Sequence, residues 1–176
     1  MGTIRDEIRQ TKPFESAADE AVVTLIGTAD RVRTTLSAVI EAHDITLQQY
    51  NVLRILRGAG PAGLPTLEIA ARMIEHSPGI TRLLGRLEAR GLVRRVRCRE
   101  DRRQVLCHAT DKALRLLSAL GQPLDEVIRG SLASLTPART AELVRLLDAV
   151  RAAAASFPTD TKPKDDRNPE EEKRTR

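Results

Sequence analysis

Apolar residues recur at steps of three and four through most of this chain and alternate with polar ones in a single stretch. Val22, Leu25, Ala29, Val32, Leu36 and Val39 follow the helical step and predict one helix over residues 15–41. A seam of that length carries more apolar stripe than a small domain can cover alone. Self-association is its natural sink, and packing against later helices would also serve. Thr46-Leu47-Gln48-Gln49 has the reciprocal capping pattern of a helix start, with Thr46 as N-cap and Gln49 three positions on. That helix is expected to bury Tyr50, Leu53 and either Ile55 or Leu56, and to end before Gly58. The glycine- and proline-containing stretch 58–63 reads as a loop. A short helix over 66–74 follows, with Leu67, Ala70, Ala71 and Ile74 at burial spacing.

Ser77 and Pro78 read as the N-cap and first residue of the next helix, where proline has no needed amide to lose. Ile80, Leu83, Leu84 and Leu87 form its apolar face. Thr81, Arg82, Gly85, Arg86 and Ala89 fall on the other side, and Gly91 suits the left-handed residue past its end. Alternation then predicts two strands, 93–98 and 104–109, closed into a hairpin. Thr110 caps a helix over 111–132 that Gly121 and Pro123 should break or kink. Leu135-Thr136-Pro137 starts the last helix, with Leu143, Leu146, Leu147 and Val150 on one face. The Pro-, Lys-, Asp- and Glu-rich stretch 158–176 has too few apolar residues to order itself. No internal repeat is present.

Charge changes this picture from a generic helical protein to a polyanion binder. The chain of 176 residues has a net charge of +5, yet residues 46–110 hold 12 arginines against 5 acids, a local +7 that leaves −2 for the rest. Seven arginines fall within residues 90–103, at the hairpin and its tip. A surface that neutralises phosphates releases condensed counterions and binds in a salt-sensitive way. Aromatics make up 2% of the chain, so the core must be Leu, Ile, Val and Ala. The same scarcity argues against a stacking platform for single strands, which needs exposed rings. Arginine outnumbers lysine 24 to 5, but a GC-rich genome would give the same bias.

Other functional classes find no support. No apolar run is long enough to span a bilayer, and residues 1–14 lack a signal-peptide core. Two cysteines make no disulfide framework, so a reduced, cytoplasmic protein is expected. His43, His76 and His108 are isolated and match no zinc spacing. No phosphate loop, nucleophile elbow or HExxH motif is present, so no enzyme and no cofactor are expected.

Helix, short helix, recognition helix and two-stranded wing form the winged helix-turn-helix arrangement. Its recognition helix fills the major groove, while the wing tip reaches the adjacent minor groove. The fold class expected is mainly α with a small β-wing. Its parts are a flexible arm over 1–14 and an N-terminal dimerisation helix over 15–45. The winged DNA-binding domain spans 46–110, C-terminal dimerisation helices 111–157, and a disordered tail 158–176.

The run Leu83 to Arg95, L-L-G-R-L-E-A-R-G-L-V-R-R, the wing segment Asp101-Arg102-Arg103 and the following Val105 and Thr110 resemble the MarR family of regulators. The likeness extends over about residues 15–156. It implies a homodimer, with Val22, Leu25, Leu143, Leu147 and Val150 among its dimerisation contacts, on a pseudo-palindromic operator. It implies a repressor released by a small-molecule effector bound between the dimerisation helices and the winged domain. Carried over by position, Arg103 enters the minor groove and Asp101 orients it. Ser77, Thr81, Arg82 and Arg86 face the major groove and phosphates, Arg94 and Arg95 lie along the backbone, and Arg99 and Arg102 add phosphate contacts. Gly85 departs from the acidic residue common there, and Ala109 and Ala113 from the family's Leu and Gly around the Thr110 cap.

Cys98 and Cys107 lie on opposite wing strands. Neighbouring arginines would lower a thiol pKa and favour oxidation, which gives a redox-responsive alternative. The commoner role of such residues is packing. Two further alternatives are a nonspecific architectural DNA binder using the same arginines, and a helical dimer module that binds protein.

Overall fold

In the computed structural model the described residues are 2–74, 79–97 and 104–157. The chain divides into two compact units, residues 1–131 and 132–176. The first opens with a one-turn helix, α1 (Ile4–Glu7), inside the segment expected as an arm. It meets the long helix α2 (Ala17–Glu41) where Ile4 occupies the space a side chain at Gly27 would need. α2 starts at Ser16, whose hydroxyl accepts from the Asp19 amide at 3.1 Å. Only its C-terminal end is sunk in the core, at Ile40, with Leu36 and Val39 packed beside it. Val22 and Ile26 remain 54% and 65% exposed, and Leu25 is half-buried.

α3 (Leu47–Ala59) begins with the expected reciprocal cap. The Gln49 amide donates to Thr46 Oγ1 at 3.3 Å, and the Thr46 amide to Gln49 Oε1 at 3.0 Å. Val52, Leu53 and Leu56 are buried, whereas Tyr50 and Ile55 are only half-buried. The helix runs through Gly58 instead of stopping before it. A helical glycine costs about 1 kcal/mol relative to alanine, which burial of Leu53 and Leu56 on the preceding turns outweighs.

A 3-10 turn (Gly60–Ala62) leads into β1 (Leu64–Pro65), a strand the residue pattern did not announce. The sheet order is β1-β3-β2, all antiparallel, with β2 spanning Val93–Arg97 and β3 Val105–Ala109. Gly63 makes this sheet possible. Its φ is +66°, and a Cβ there would lie 2.5 Å from His108 Cε1 and 2.8 Å from the Cys107 carbonyl oxygen.

α4 (Thr66–Ala71) is rotated from its expected phase. Leu67 and Ile74 are 82% and 85% exposed, while Ile69 and Met73 are buried. Both stripes satisfy helical spacing. The pairing of Leu64 with Cys107 fixes where the chain enters the helix and so decides which stripe faces inward.

α5 spans Ile80–Ala89 with Gly79 as its N-cap, at φ 116°. The expected Ser77–Pro78 start lies outside the described residues. α6 (Asp111–Ala119) and α7 (Gly121–Ser131) are separated at Leu120, as Gly121 and Pro123 foretold. α7 packs on α2, and α6 on α3, so Leu117, Leu120 and Leu124 complete the core. In the second unit α8 (Pro137–Ala155) starts at Thr136, whose hydroxyl accepts from the Arg139 amide. On α8 Leu143 is half-buried, and Leu147 and Val150 are exposed. The tail over 158–176 lies outside the described residues.

Candidate nucleic-acid interface

α5 has one apolar side and one polar side. Leu83, Leu84 and Leu87 are buried and Ile80 half-buried, which turns Thr81, Arg82 and Arg86 to solvent. Among the described residues no side chain caps the first turn, and the positive end of the helix dipole favours an anion there. The helix ends in a paired-bond cap. The Leu92 amide donates to the Leu87 carbonyl at 2.9 Å and the Gly91 amide to the Glu88 carbonyl at 2.8 Å. This closure needs Gly91 in the left-handed region, where its φ is +68°. The chain then turns directly into β2, so the wing begins two residues after the helix closes.

Three bonds hold that turn. Arg90 donates from its guanidinium to the Asp44 carbonyl, Lys112 Nζ donates to the Arg90 carbonyl at 2.9 Å, and Thr110 Oγ1 donates to the Gly91 carbonyl at 2.8 Å. Thr110 Oγ1 also accepts from the Ala113 amide at 3.3 Å, capping α6. The cap therefore works with Ala109 half-buried and Ala113 fully buried in place of the Leu and Gly common in the family. Arg90 thus serves the scaffold, a role the residue pattern did not show.

On β2, Arg94 and Arg97 are exposed. Arg95 points back toward α5, where its Nε and Nη2 both reach Glu88 Oε2 at 2.7 Å. It was expected along the DNA backbone. The alternation of the strand places it instead on the side of buried Val93, and an acid meets it there. Among the described residues, Arg82, Arg86 and Arg94 enter no ion pair. The Glu88 partner had one sequence signal, an acid in the last turn of a helix, where the dipole disfavours it.

Cys107 pairs across the sheet with Arg95 and is fully buried. Burial pushes its thiol pKa up; the Thr66 hydroxyl and then the Arg95 guanidinium pull the other way with less effect. The net direction is opposite to the activation expected from neighbouring arginines. Ser77, Cys98, Arg99, Asp101, Arg102 and Arg103 lie outside the described residues. Among the described residues no cluster of His, Cys, Asp or Glu is arranged to hold a metal, and no helix is long and apolar enough to cross a membrane.

A helical core whose exposed arginine-bearing helix runs straight into an antiparallel wing defines a winged helix-turn-helix DNA-binding protein. The sequence model of the MarR family matches residues 45–105. The crystal structure of a MarR transcription factor from Planctomyces limnophilus is 39% identical, covers 78% of this chain and 99% of its own, and superposes with a TM-score of 0.60. A mutant MarR of E. coli, solved in complex with operator DNA, is 25% identical over 72% of this chain and 89% of its own, at TM-score 0.65. The transcriptional regulator TtmR of Methylorubrum extorquens is 44% identical over 75 residues, 43% of this chain, which spans only 37% of TtmR's length. This chain belongs to the MarR family; it is a DNA-binding transcriptional regulator and not an enzyme.

Proposed function

We propose that the chain acts as a homodimeric repressor in the cytoplasm, placing two copies of α5 in successive major grooves of a pseudo-palindromic operator. The observation that carries this reading is the exposed polar side of α5, Thr81, Arg82 and Arg86, backed by three buried leucines, with Arg94 exposed on the strand that follows. Arg82 and Arg86 supply forked donors to guanine edges or phosphates, and Arg94 supplies phosphate charge. In this reading Arg103 enters the minor groove with Asp101 orienting it, Arg99 and Arg102 add phosphate contacts, and Ser77 faces the major groove and phosphates. Exposed Val22 on α2, and Leu147 and Val150 on α8, together with half-buried Leu25 and Leu143, supply the dimer contacts. Family membership supports release by a small-molecule effector.

The test selects an inverted repeat from randomised duplexes with the full chain and titrates it against a shuffled duplex at physiological salt. A preference of about 10³ or more for the selected repeat, with two 19.4 kDa chains per duplex by sedimentation, is expected. Equal affinity for both duplexes would identify an architectural binder. One chain per duplex would remove the dimeric reading.

A further inference from the structure

The geometry points to Glu88 and Arg95 as a clamp that sets the wing's angle on the recognition helix, and thereby the sequence discrimination of the interface. This inference rests on the DNA-binding reading above.

Four observations converge on it. Both nitrogens of Arg95 that face Glu88 converge on one carboxylate oxygen at 2.7 Å. The pair is partly shielded, with side chains 28% and 40% exposed, unlike the other ion pairs among the described residues, whose side chains are all more than half exposed. The guanidinium lies over Gly85, where a Cβ would stand 3.5 Å from Arg95 Nη2. It therefore lies along α5 from Gly85 to Glu88, within van der Waals distance of the helix surface at position 85. Finally, Glu88 sits where two fields disfavour it: the negative end of the α5 dipole and the surface proposed to meet phosphates. Helix stability does not explain an acid there, whereas engagement of Arg95 does.

The consequence is geometric. α5 reads the major groove and β2 leads to the tip that reaches the minor groove. The Gly91 turn, held by the Arg90, Lys112 and Thr110 bonds, joins them at the base of β2, and β3 pairs with the strand along its length. The Arg95–Glu88 bond adds a direct tie from the middle of β2 to the last turn of α5. Glu88 and Arg95 are thus positioning residues. They hold two reading elements at one spacing, so a duplex that satisfies only one is rejected. Glu88 also keeps Arg95 from acting as a free phosphate ligand, which would add affinity without selectivity.

The experiment compares the full-length wild type with Glu88→Gln and Arg95→Met on two probes, the selected inverted repeat and its shuffled counterpart. Titrations run across several salt concentrations. Glu88→Gln frees Arg95. The shuffled duplex should then bind more tightly, with a salt slope steeper by about 2 for the two released arginines of a dimer. The preference for the selected repeat should fall about tenfold. Arg95→Met keeps an unbranched chain over Gly85 but breaks the clamp without freeing a cation. It should lose the same preference with no gain on the shuffled duplex. Melting temperatures identify a variant that fails to fold, and the remaining variant then decides the outcome. If removing the acid shifts both probes by the same factor, Glu88 acts only through its charge and the clamp is refuted. A preference within twofold of wild type in both variants overturns it as well. If the wild type itself binds neither probe, the DNA-binding proposal has failed instead.

Discussion

Gly63→Ala tests the geometry at the root of the wing. Two costs follow from the structure. The backbone at position 63 has φ +66°, so any L side chain sits in the left-handed region, at a cost of about 1–2 kcal/mol. The new methyl would also stand 2.5 and 2.6 Å from the Cε1 and Nδ1 atoms of His108, and 2.8 Å from the Cys107 carbonyl oxygen. The His108 ring can turn aside, but the Cys107 carbonyl oxygen belongs to the paired backbone of β3 and cannot. Overpacking of this kind costs about 1–3 kcal/mol. The two together give about 2–5 kcal/mol, or a melting temperature lower by about 6–15 °C for a domain of this size. Gly58→Ala is the internal control. Gly58 is helical with open space around it, so alanine there should stabilise by about 0.5–1 kcal/mol. In Gly63→Ala/His108→Ala the ring overlap disappears while the backbone cost remains, so part of the loss should return. Thermal and urea melts of the four proteins provide the comparison. A Gly63→Ala protein that melts within about 1 °C of wild type would refute the account of this turn.

Further outcomes follow from the same structure. Arg82→Ala/Arg86→Ala should leave stability within about 0.5 kcal/mol, since both side chains are exposed without ion pairs among the described residues. Its salt slope for duplex binding should be shallower by up to about 3.6, because a dimer would neutralise four fewer phosphates; an unchanged slope would place the interface elsewhere. Gly85→Ala should stabilise α5 by about 0.5–1 kcal/mol in melts, because a Cβ there meets only an ordinary contact; a destabilised variant would mean that Arg95 presses more closely on the helix. The raised thiol pKa of Cys107 implies stability that is intact below the unfolded thiol's range and lost as pH rises through the folded pKa. Wild type should therefore weaken more than Cys107→Ala between about pH 8 and 10, and parallel melting curves would contradict that direction. Leu147→Asp/Val150→Asp on α8 should yield a lighter particle in sedimentation, with operator affinity reduced by at least about tenfold; an unaltered dimer would exclude this face from association.

Much of the winged domain was legible because its signals are local and redundant. The Thr46–Gln49 cap, the α5 leucines, Gly91 and the Thr110 cap each carry their own physical reason, and each stands where the residues said. What failed depended on partners distant in sequence. The inward stripe of α4 was ambiguous between Leu67/Ile74 and Ile69/Met73 until β1 fixed the phase, and a two-residue strand has no periodicity to read. The expected cap of α5 at Ser77 lies outside the described residues, and the described part of the helix starts from Gly79. Arg95 was expected beside Arg94 along the DNA; the strand's alternation turns it inward, and nothing local showed that Glu88 would be waiting there. Cys107 looked activatable from its arginine neighbours, yet burial, a property of the assembled sheet, decides the direction of its pKa. The outermost charge of the interface, from Arg99 to Arg103, is a reading of the residues alone.

Hydroxyl-radical footprinting of the full chain on the selected duplex tests the central claim most directly. Two protected major-groove segments about 34–36 Å apart, each flanked by a protected minor-groove tract, are the result expected from two copies of α5 and two wings. A single protected segment, or uniform faint protection along the duplex, would contradict the account.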